Sequence, residues 1–382
     1  MLQSILRPGE MVIEYVLDEP HSYGLEITAT RAMVHRLDGR KRVESAVDRY
    51  LDALRNRKDG SEEARCLYSA LVGSVRSEHT PASADATTLI VVPDGKLHLL
   101  PFAALMGPDS KYLVESTAIF YAPSGNVLHV LRSERRGHMA PRPFLGVGYS
   151  AIDGVNAGSA EDLPRGLFEV GGTEYKPLAF AREEISDAVK VAGRDSVSLV
   201  GADASEIRVK KAHPADFRVL HFAAHAIESK QFPERAGLVF YPGDRSEDGL
   251  WQPREIRRES LQADLVVLSA CETAVGKLEG EEGVANLART FLVAGARSVV
   301  ASTWRIQDRA TATMMSNLYS YLGTGENVAT ALRHAQLELL KQFGSTTPPY
   351  FWAGFLVIGD GSTTISFGSP DTHTPTASSS LR

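Results

Sequence analysis

Short apolar runs alternate with amphipathic segments along the second half of the chain. The apolar runs are four or five residues long and end at polar turns, which is typical of strands buried on both faces. They lie at 144–147, 197–200, 218–222, 237–240, 265–268, 298–302 and 355–358. Apolar residues three or four apart predict helices at 180–191, 205–210, 281–292, 308–322 and 327–341. This alternation predicts an α/β fold with a mostly parallel sheet covered by helices on both faces.

The first half combines strands with one long helical stretch. Apolar runs at 11–15, 25–30, 88–92 and 117–121 are predicted strands. Residues 41–75 have apolar side chains at helical spacing, with a break at Lys58-Asp-Gly-Ser. Cys66 follows the apolar pattern of this stretch, so we expect its side chain to be buried.

An aperiodic basic stretch, ERRGHMAPRP at 134–143, separates the two halves. We therefore predict a first half at 1–137, a linker at 138–143 and a second half at 144–360. Residues 361–382 are rich in Ser, Thr, Pro and Gly and are predicted to be a disordered tail.

Composition narrows the class of protein. The 382 residues include 41 Lys and Arg against 47 Asp and Glu, a net charge of −6, so no basic excess favours a nucleic-acid partner. The chain has two cysteines, which excludes a disulfide framework and a cysteine-rich zinc site and favours a reducing compartment. No apolar run reaches 18 residues and the first residues do not resemble a secretory signal. We expect a soluble cytoplasmic protein without a membrane partner.

Two reactive side chains follow predicted strands. His225 comes just after the strand at 218–222, and Cys271 just after the strand at 265–268. Ligands of open parallel sheets bind beyond the carboxyl ends of the strands, so neighbouring strands would place His225 and Cys271 together. A Cys–His pair is a nucleophile with its base. The alternative is that Cys271 is a small core residue and that His225 bonds a backbone carbonyl.

The same region also allows two other interpretations, a zinc site and a phosphate-binding loop, which its residues support less well. His221 and His225 have the i, i+4 spacing of zinc ligands, but His221 lies within a predicted strand and no third ligand stands out. The segment Gly280-Glu-Glu-Gly283 precedes a helix like a phosphate loop, but it is acidic and lacks the Lys and Ser/Thr of that motif. We therefore expect neither a metal nor an organic cofactor.

The residues around His225 and Cys271 resemble the CHAT domain, a member of the caspase–separase–gingipain group of cysteine peptidases. The resemblance rests on VLHFAAH at 219–225 and LVVLSACETA at 265–274. It extends through a series of further segments in order: PGEMVIEY at 8–15, LIVVPDG at 89–95, LPFAAL at 100–105, GEEGVANLARTFLVAGA at 280–296, SVVASTWRIQD at 298–308, ALRHAQ at 331–336 and PYFWAGFLVIG at 349–359. It thus covers about residues 8–360 and implies a caspase-like three-layer sandwich preceded by a non-catalytic caspase-like half.

The family pattern implies a role for each matching residue. Cys271 would be the nucleophile and His225 the general base and acid. The backbone N–H groups of Cys271 and Ala226 would form the oxyanion hole. The family usually has glycine where this chain has Ala226, and alanine would be strained if the turn required a positive φ. Asp308, in a segment that resembles separase, would line the S1 pocket for a basic P1 residue, and the alternative is a helix N-cap.

The resemblance predicts a cysteine endopeptidase that cleaves a protein substrate after Arg or Lys in a regulated signalling or defence role. Relatives in the family often carry helical repeats of the tetratricopeptide (TPR) type, which makes such a region an expected regulatory partner. The main alternative is a caspase-like scaffold that binds protein partners without cleaving them. An acyl- or thiol-transferase using the same pair is a third hypothesis, which a small closed pocket would favour. Trp251 and Trp352 are expected to be packing residues.

Overall fold

Strands of both halves join one large sheet. The computed structural model describes residues 2–76, 87–133, 139–149, 178–227, 237–241, 247–269, 283–304, 306–344 and 347–367. The strands are β1 (Glu10–Val16), β2 (His21–Ile27), β3 (Ala32–Asp38), β4 (Thr88–Val92), β5 (Ala118–Tyr121), β6 (Arg142–Gly148), β7 (Val197–Val200), β8 (Phe217–Ala223), β9 (Ala226–Ile227), β10 (Gly237–Val239), β11 (Leu250–Trp251), β12 (Leu265–Leu268), β13 (Ser298–Ser302) and β14 (Phe355–Gly359). Within these ranges, an 11-stranded sheet has the order β3-β2-β1-β4-β5-β14-β13-β12-β8-β6-β7, and β11-β10-β9 form a small second sheet.

The second half of the main sheet is mostly parallel, as predicted. β7, β6, β8, β12 and β13 run in one direction, and β14 is antiparallel to β13. The predicted strand at 237–240 corresponds to β10, which lies in the small antiparallel sheet rather than in the main one. Its apolar run is buried like those of the main sheet, so the pattern alone did not distinguish the two positions.

Helices cover the sheet on both faces. They are α1 (Arg40–Arg55), α2 (Ser61–Leu67), α3 (Ser74–Arg76), α4 (Gly125–Ser133), α5 (Ala181–Ala192), α6 (Glu206–Lys211), α7 (Pro253–Ile256), α8 (Gly283–Ala294), α9 (Asp308–Gly323) and α10 (Val328–Phe343). Along β12, Leu265 and Val267 join a core that contains residues of α5, α9 and α10. Val266 and Leu268 join a second core on the other face, with residues of α6, α7 and α8. The fold is therefore the predicted α/β three-layer arrangement.

α5 packs very closely on β6 because β6 carries glycine at the contact. A Cβ at Gly146 would lie 2.7 Å from the side chain of Ile185, which is too short for real carbon atoms. The absence of a side chain at Gly146 therefore lets α5 approach β6 closely.

The two predicted halves are continuous in the main sheet, since β5 of the first half pairs with β14 of the second. Two of the six residues predicted as linker, Arg142 and Pro143, are the first residues of β6. The packed part of the chain extends beyond the predicted boundary at residue 360, because Ile365 is buried. Residues 368–382 of the predicted tail lie outside the described residues.

The prediction for Cys66 was wrong, because its side chain is exposed. α2 buries Ala64 and Leu67, and Cys66 stands beside that stripe rather than on it. Trp251 and Trp352 are fully buried packing residues, as predicted. In the described ranges no helix has both the length and the apolar character needed to cross a membrane.

Candidate active site

The strands that precede His225 and Cys271 are neighbours. β8 and β12 pair in parallel, with Leu268 opposite Phe222, and the N–H of Ser269 donates to the carbonyl of Phe222 over 3.2 Å. The chain therefore leaves both strands at the same edge of the sheet. This confirms the condition on which a pairing of His225 with Cys271 depends, although Cys271 itself lies outside the described residues.

The small sheet holds the backbone around His225 in place. His225 is 1% exposed, and its carbonyl accepts a hydrogen bond from the N–H of Val239 over 2.8 Å. The next residue, Ala226, begins β9 and pairs with Leu238. Ala226 is not among the residues with positive φ, so the strain that alanine would suffer in a left-handed turn does not arise. The backbone at residue 226 accepts alanine as readily as glycine.

Asp308 lies at the same edge of the sheet as the first residue of α9. Its carboxylate accepts a hydrogen bond from the backbone N–H group of Phe180 over 3.1 Å. Burial raises the pKa of Asp308, the hydrogen bond from Phe180 opposes the rise, and the charge of Glu184 adds to it. Because β13 runs parallel to β12 and β12 to β8, Asp308 and His225 both follow strands that end at the same edge of the sheet. The predicted N-cap position belongs instead to Gln307, whose side chain makes no capping bond.

A buried polar cluster that the sequence did not reveal lies beneath this edge. His221 on β8 is fully buried, with its Nε2 atom 2.7 Å from the carboxylate of Glu184 and 3.2 Å from the hydroxyl of Ser269. Its Nδ1 atom is 2.8 Å from the hydroxyl of Tyr319. Both ring nitrogens are thus occupied by protein groups, which argues against the metal reading of His221 with His225. The sequence signal for this cluster was His221 itself, a polar residue in the apolar part of a predicted buried strand.

One group of acidic side chains has the spacing of a metal site, and the ammonium group of a lysine lies among its carboxylates. Among the residues that the structure describes, the carboxylates of Glu206, Glu247 and Glu255 approach one another closely enough to share a cation. The ammonium of Lys210 lies 2.7, 2.9 and 3.0 Å from the three carboxylates. The charge that a metal would supply therefore comes from Lys210. The other candidate, the predicted phosphate-loop reading of 280–283, falls mostly outside the described residues.

Replacing Glu206 by glutamine is expected to flatten the pH dependence of stability. Burial raises the pKa of Glu206 to about 7, and the nearby charges of Glu255 and Glu247 add to the rise that Lys210 opposes. An unfolded carboxyl titrates near 4.5, so the folded protein binds a proton as the pH falls through 7 and gains stability down to about 4.5. Urea unfolding at about pH 8 and about pH 5 should show that the free energy of unfolding of the wild type rises toward the lower pH. In Glu206→Gln this rise should be smaller by about 1–3 kcal/mol. An equal change in the free energy of unfolding between the two pH values in both proteins would contradict this contribution of Glu206.

Comparison with known proteins decides the family. The model of the CHAT domain family matches residues 61–360, more than three quarters of the chain. The chain belongs to the CHAT domain family. Its relatives include tetratricopeptide repeat protein 28 of Homo sapiens, 26% identical over 331 residues, and that of Mus musculus, 25% identical over 338 residues. Each match covers 77% of this CHAT chain and 13% of the relative, so the chain spans about an eighth of those proteins.

Solved structures show the same fold. The separase of the Saccharomyces cerevisiae separase–securin complex matches 94% of the CHAT chain and 30% of its own, with a TM-score of 0.53 and 11% identity. The Arg-specific cysteine proteinase gingipain R matches 87% of the CHAT chain and 78% of its own, with a TM-score of 0.51 and 10% identity. At these identities the likeness concerns the fold alone, and the fold is caspase-like, as the sequence predicted.

Proposed function

We propose that this CHAT domain is a cysteine endopeptidase that cleaves a protein substrate after a basic residue. One observation carries the proposal: β8 and β12 are parallel neighbours, and the residue pair of a cysteine peptidase follows them, His225 after one strand and Cys271 after the other. Membership of the family and the caspase-like fold support it. The non-catalytic role of residues 1–137 belongs to the same proposal, since none of the proposed catalytic residues lies in that half.

In the proposed reaction, side chains and backbone of this chain supply the catalytic groups, and water is the second reactant. His225 takes the proton of the Cys271 thiol, and the Sγ atom attacks the scissile carbonyl carbon. The oxygen that becomes negative is held by the backbone N–H groups of Cys271 and Ala226. Collapse of this intermediate breaks the C–N bond, and His225 gives the proton to the departing amine. Water then hydrolyses the acyl thioester, which releases the acid and restores the thiol.

Asp308 is the proposed S1 residue. Its carboxylate lies at the same edge of the sheet as His225 and accepts one backbone N–H, that of Phe180, while a carboxylate offers about four acceptor positions. It therefore retains acceptors for the guanidinium of Arg or the ammonium of Lys. A half-buried carboxylate binds such a group more strongly than an exposed one, because water screens the attraction less.

A series of fluorogenic peptides with Arg, Lys, Asp or Leu at P1 tests the proposed activity. We expect cleavage of the Arg and Lys peptides without added metal and in the presence of a reductant. Cys271→Ala should remove it, and Cys66→Ala should not, because Cys66 lies on α2 in the first half. Cleavage that survives in Cys271→Ala, or a preference for Asp at P1, would overturn the proposal.

Asp308→Asn should affect the Arg and Lys peptides selectively. The amide keeps an oxygen that accepts from the N–H of Phe180 but loses the negative charge. We expect kcat/KM for Arg and Lys peptides to fall about 10- to 100-fold, the range of a charge-assisted hydrogen bond, with a slow Leu peptide little changed. An equal fall for every peptide would mean that Asp308 anchors the start of α5 and does not read the P1 residue.

The names of the relatives favour one alternative, a scaffold without activity. Both are called tetratricopeptide repeat proteins, and this chain corresponds to a small part of each. A repeat region beside the CHAT domain would be its regulatory partner. The proposed role is in signalling or defence, and the proposed location is the cytoplasm. If no peptide is cleaved and Cys271 fails to react with a basic peptide inhibitor, the result favours the scaffold hypothesis.

A further inference from the structure

The cluster around His221 has the residue types of a hydrolase triad but not its geometry. In a Ser–His–acid triad the carboxylate and the serine contact opposite ring nitrogens. Here Glu184 and Ser269 both contact Nε2, and Nδ1 faces Tyr319. His221 is fully buried, and Glu184 and Ser269 are each 3% exposed, so no substrate reaches them. The cluster therefore does not itself perform catalysis.

The position of the cluster suggests another role. Glu184 lies on α5, His221 on β8 and Tyr319 on α9, and Ser269 directly follows β12. The imidazole of His221 thus joins the four segments that meet below the candidate site. His221 precedes His225 by four residues, and Ser269 precedes Cys271 by two.

Ser269 is fixed at two points as the chain leaves β12. Its N–H donates to the carbonyl of Phe222 over 3.2 Å, and its hydroxyl lies 3.2 Å from Nε2 of His221. The first bond continues the sheet, whereas the second ties the side chain to the layer beneath. Ser269, two residues before Cys271 in the sequence, is therefore held by both its backbone and its side chain.

The other groups hold His221 itself. The N–H at Nε2 is shared between the carboxylate of Glu184 and the hydroxyl oxygen of Ser269, and Nδ1 accepts from the hydroxyl of Tyr319, so one neutral tautomer satisfies all three partners. The ring of Tyr319 stacks on that of His221 and the ring of Phe144 meets it edge-on, which fixes its tilt. α5 is fixed in turn by the bond from the N–H of Phe180 to Asp308.

We propose that His221 is a positioning residue of the active site, which through Ser269 fixes where the chain departs from β12 toward Cys271. The inference rests on the proposed function, because it assigns a task within that site. In this proposal the task of Ser269 is to anchor the chain where it leaves β12, and Glu184 and Tyr319 keep His221 in the orientation that reaches Ser269.

Ser269→Ala is the sharpest variant, because it removes one hydroxyl and leaves Glu184 bonded to His221. The matched control is Ser298→Ala on the neighbouring strand β13. Ser298 is also buried, and its hydroxyl donates to the carbonyl of Asp264 over 2.8 Å at the opposite edge of the sheet. Both variants lose one buried hydrogen bond, so urea unfolding should show similar losses of stability. Ser269→Thr, which keeps a hydroxyl, serves as the rescue variant.

Two measurements are made on each variant. The first is kcat and KM for the Arg peptide, where Ser269→Ala should lower kcat about tenfold or more with KM nearly unchanged, Ser269→Thr should recover part of the loss, and Ser298→Ala should match the wild type. The second is the rate of alkylation of Cys271 by iodoacetamide against pH, followed by mass spectrometry of its peptide. Loss of the contact with His225 should move the midpoint upward, toward the value of about 8.5 for a free thiol.

The outcomes separate the two claims. If the wild type has a low alkylation midpoint and Ser269→Ala equals Ser298→Ala in both measurements, the positioning role is overturned and the peptidase proposal stands. If the wild type cleaves no peptide, the alkylation midpoints alone decide, and an upward shift confined to Ser269→Ala supports the positioning role. An ordinary midpoint in the wild type contradicts the His225–Cys271 pair itself and removes the positioning role with it.

Discussion

His225→Ala is expected to lower kcat/KM for basic peptides by about a thousandfold or more. The variant removes the group that takes the thiol proton of Cys271 and later protonates the leaving amine, and general acid–base catalysis contributes about 10²–10⁴-fold. Without the imidazole nearby, less of the thiol is ionised at neutral pH, which adds to the loss. The measurement is cleavage of the Arg peptide by the purified variant.

The structure supplies a control for this variant. His225 is 1% exposed, so alanine in its place leaves a cavity and costs some stability. Ala288→Gly on α8 is a second buried substitution, on an element that does not carry His225, and should lose stability with little loss of activity. Activity of His225→Ala within tenfold of the wild type, in protein shown to be folded, would contradict the catalytic role of His225.

Arg132→Met is expected to lower the free energy of unfolding by about 3–5 kcal/mol at neutral pH, the usual cost of removing one partner from a buried ion pair. The guanidinium is 5% exposed and contacts the two carboxylate oxygens of Glu10 over 2.7 and 2.8 Å. It also donates to Asp360 over 3.1 Å. Methionine leaves both carboxylates buried without their cation. The measurement is urea unfolding of the wild type and the variant.

The loss of stability caused by Arg132→Met should be smaller at acid pH. Burial by itself would raise the pKa of Glu10, but hydrogen bonds from Arg132, the N–H of Arg7 and Ser362 outweigh burial and lower it below 4.5. A carboxyl with a lowered pKa stabilises the fold above pH 4.5, and this contribution disappears as the pH falls through the folded pKa. The difference between the wild type and Arg132→Met should therefore narrow below about pH 4.5.

Arg42→Met is the matched control for Arg132→Met. Arg42 is 80% exposed and pairs with Asp38 over 3.3 Å, so its removal should cost less than about 1 kcal/mol. Equal losses for the two variants would contradict the role given to Arg132. A large loss confined to Arg132→Met would show that α4 is tied to the start of β1 and the end of β14 by charge.

The buried strands of the second half could be predicted because their apolar runs are short and bounded by turns. Leu265–Leu268 is apolar throughout, which fits a strand whose alternate side chains enter two cores. The same argument placed 237–240 in a strand but not in the small sheet, because local pattern does not determine which strand is the neighbour. Cys66 was misplaced because a shift of one residue on α2 turns a side chain by about 100°.

The candidate site could be predicted in part. The two strand ends and their residues follow from position along the chain, and the pairing of β8 with β12 confirmed that they are adjacent. The partners of His221 could not be predicted, because Glu184 is 37 and Tyr319 98 residues away in sequence. Asp308 was expected either in the S1 pocket or at an N-cap. The bond to Phe180 is a third role, which depends on a contact across 128 residues.

Covalent labelling tests the nucleophile most directly. A short peptide with an Arg chloromethylketone is added to the wild type and to His225→Ala, and the modified peptides are identified by mass spectrometry. Cys66 is an internal control, since it is exposed and lies on α2 in the first half. We predict rapid modification of Cys271 in the wild type, much slower modification in His225→Ala and little at Cys66. An unmodified Cys271, or equal slow labelling of both cysteines that does not depend on His225, would contradict a cysteine peptidase.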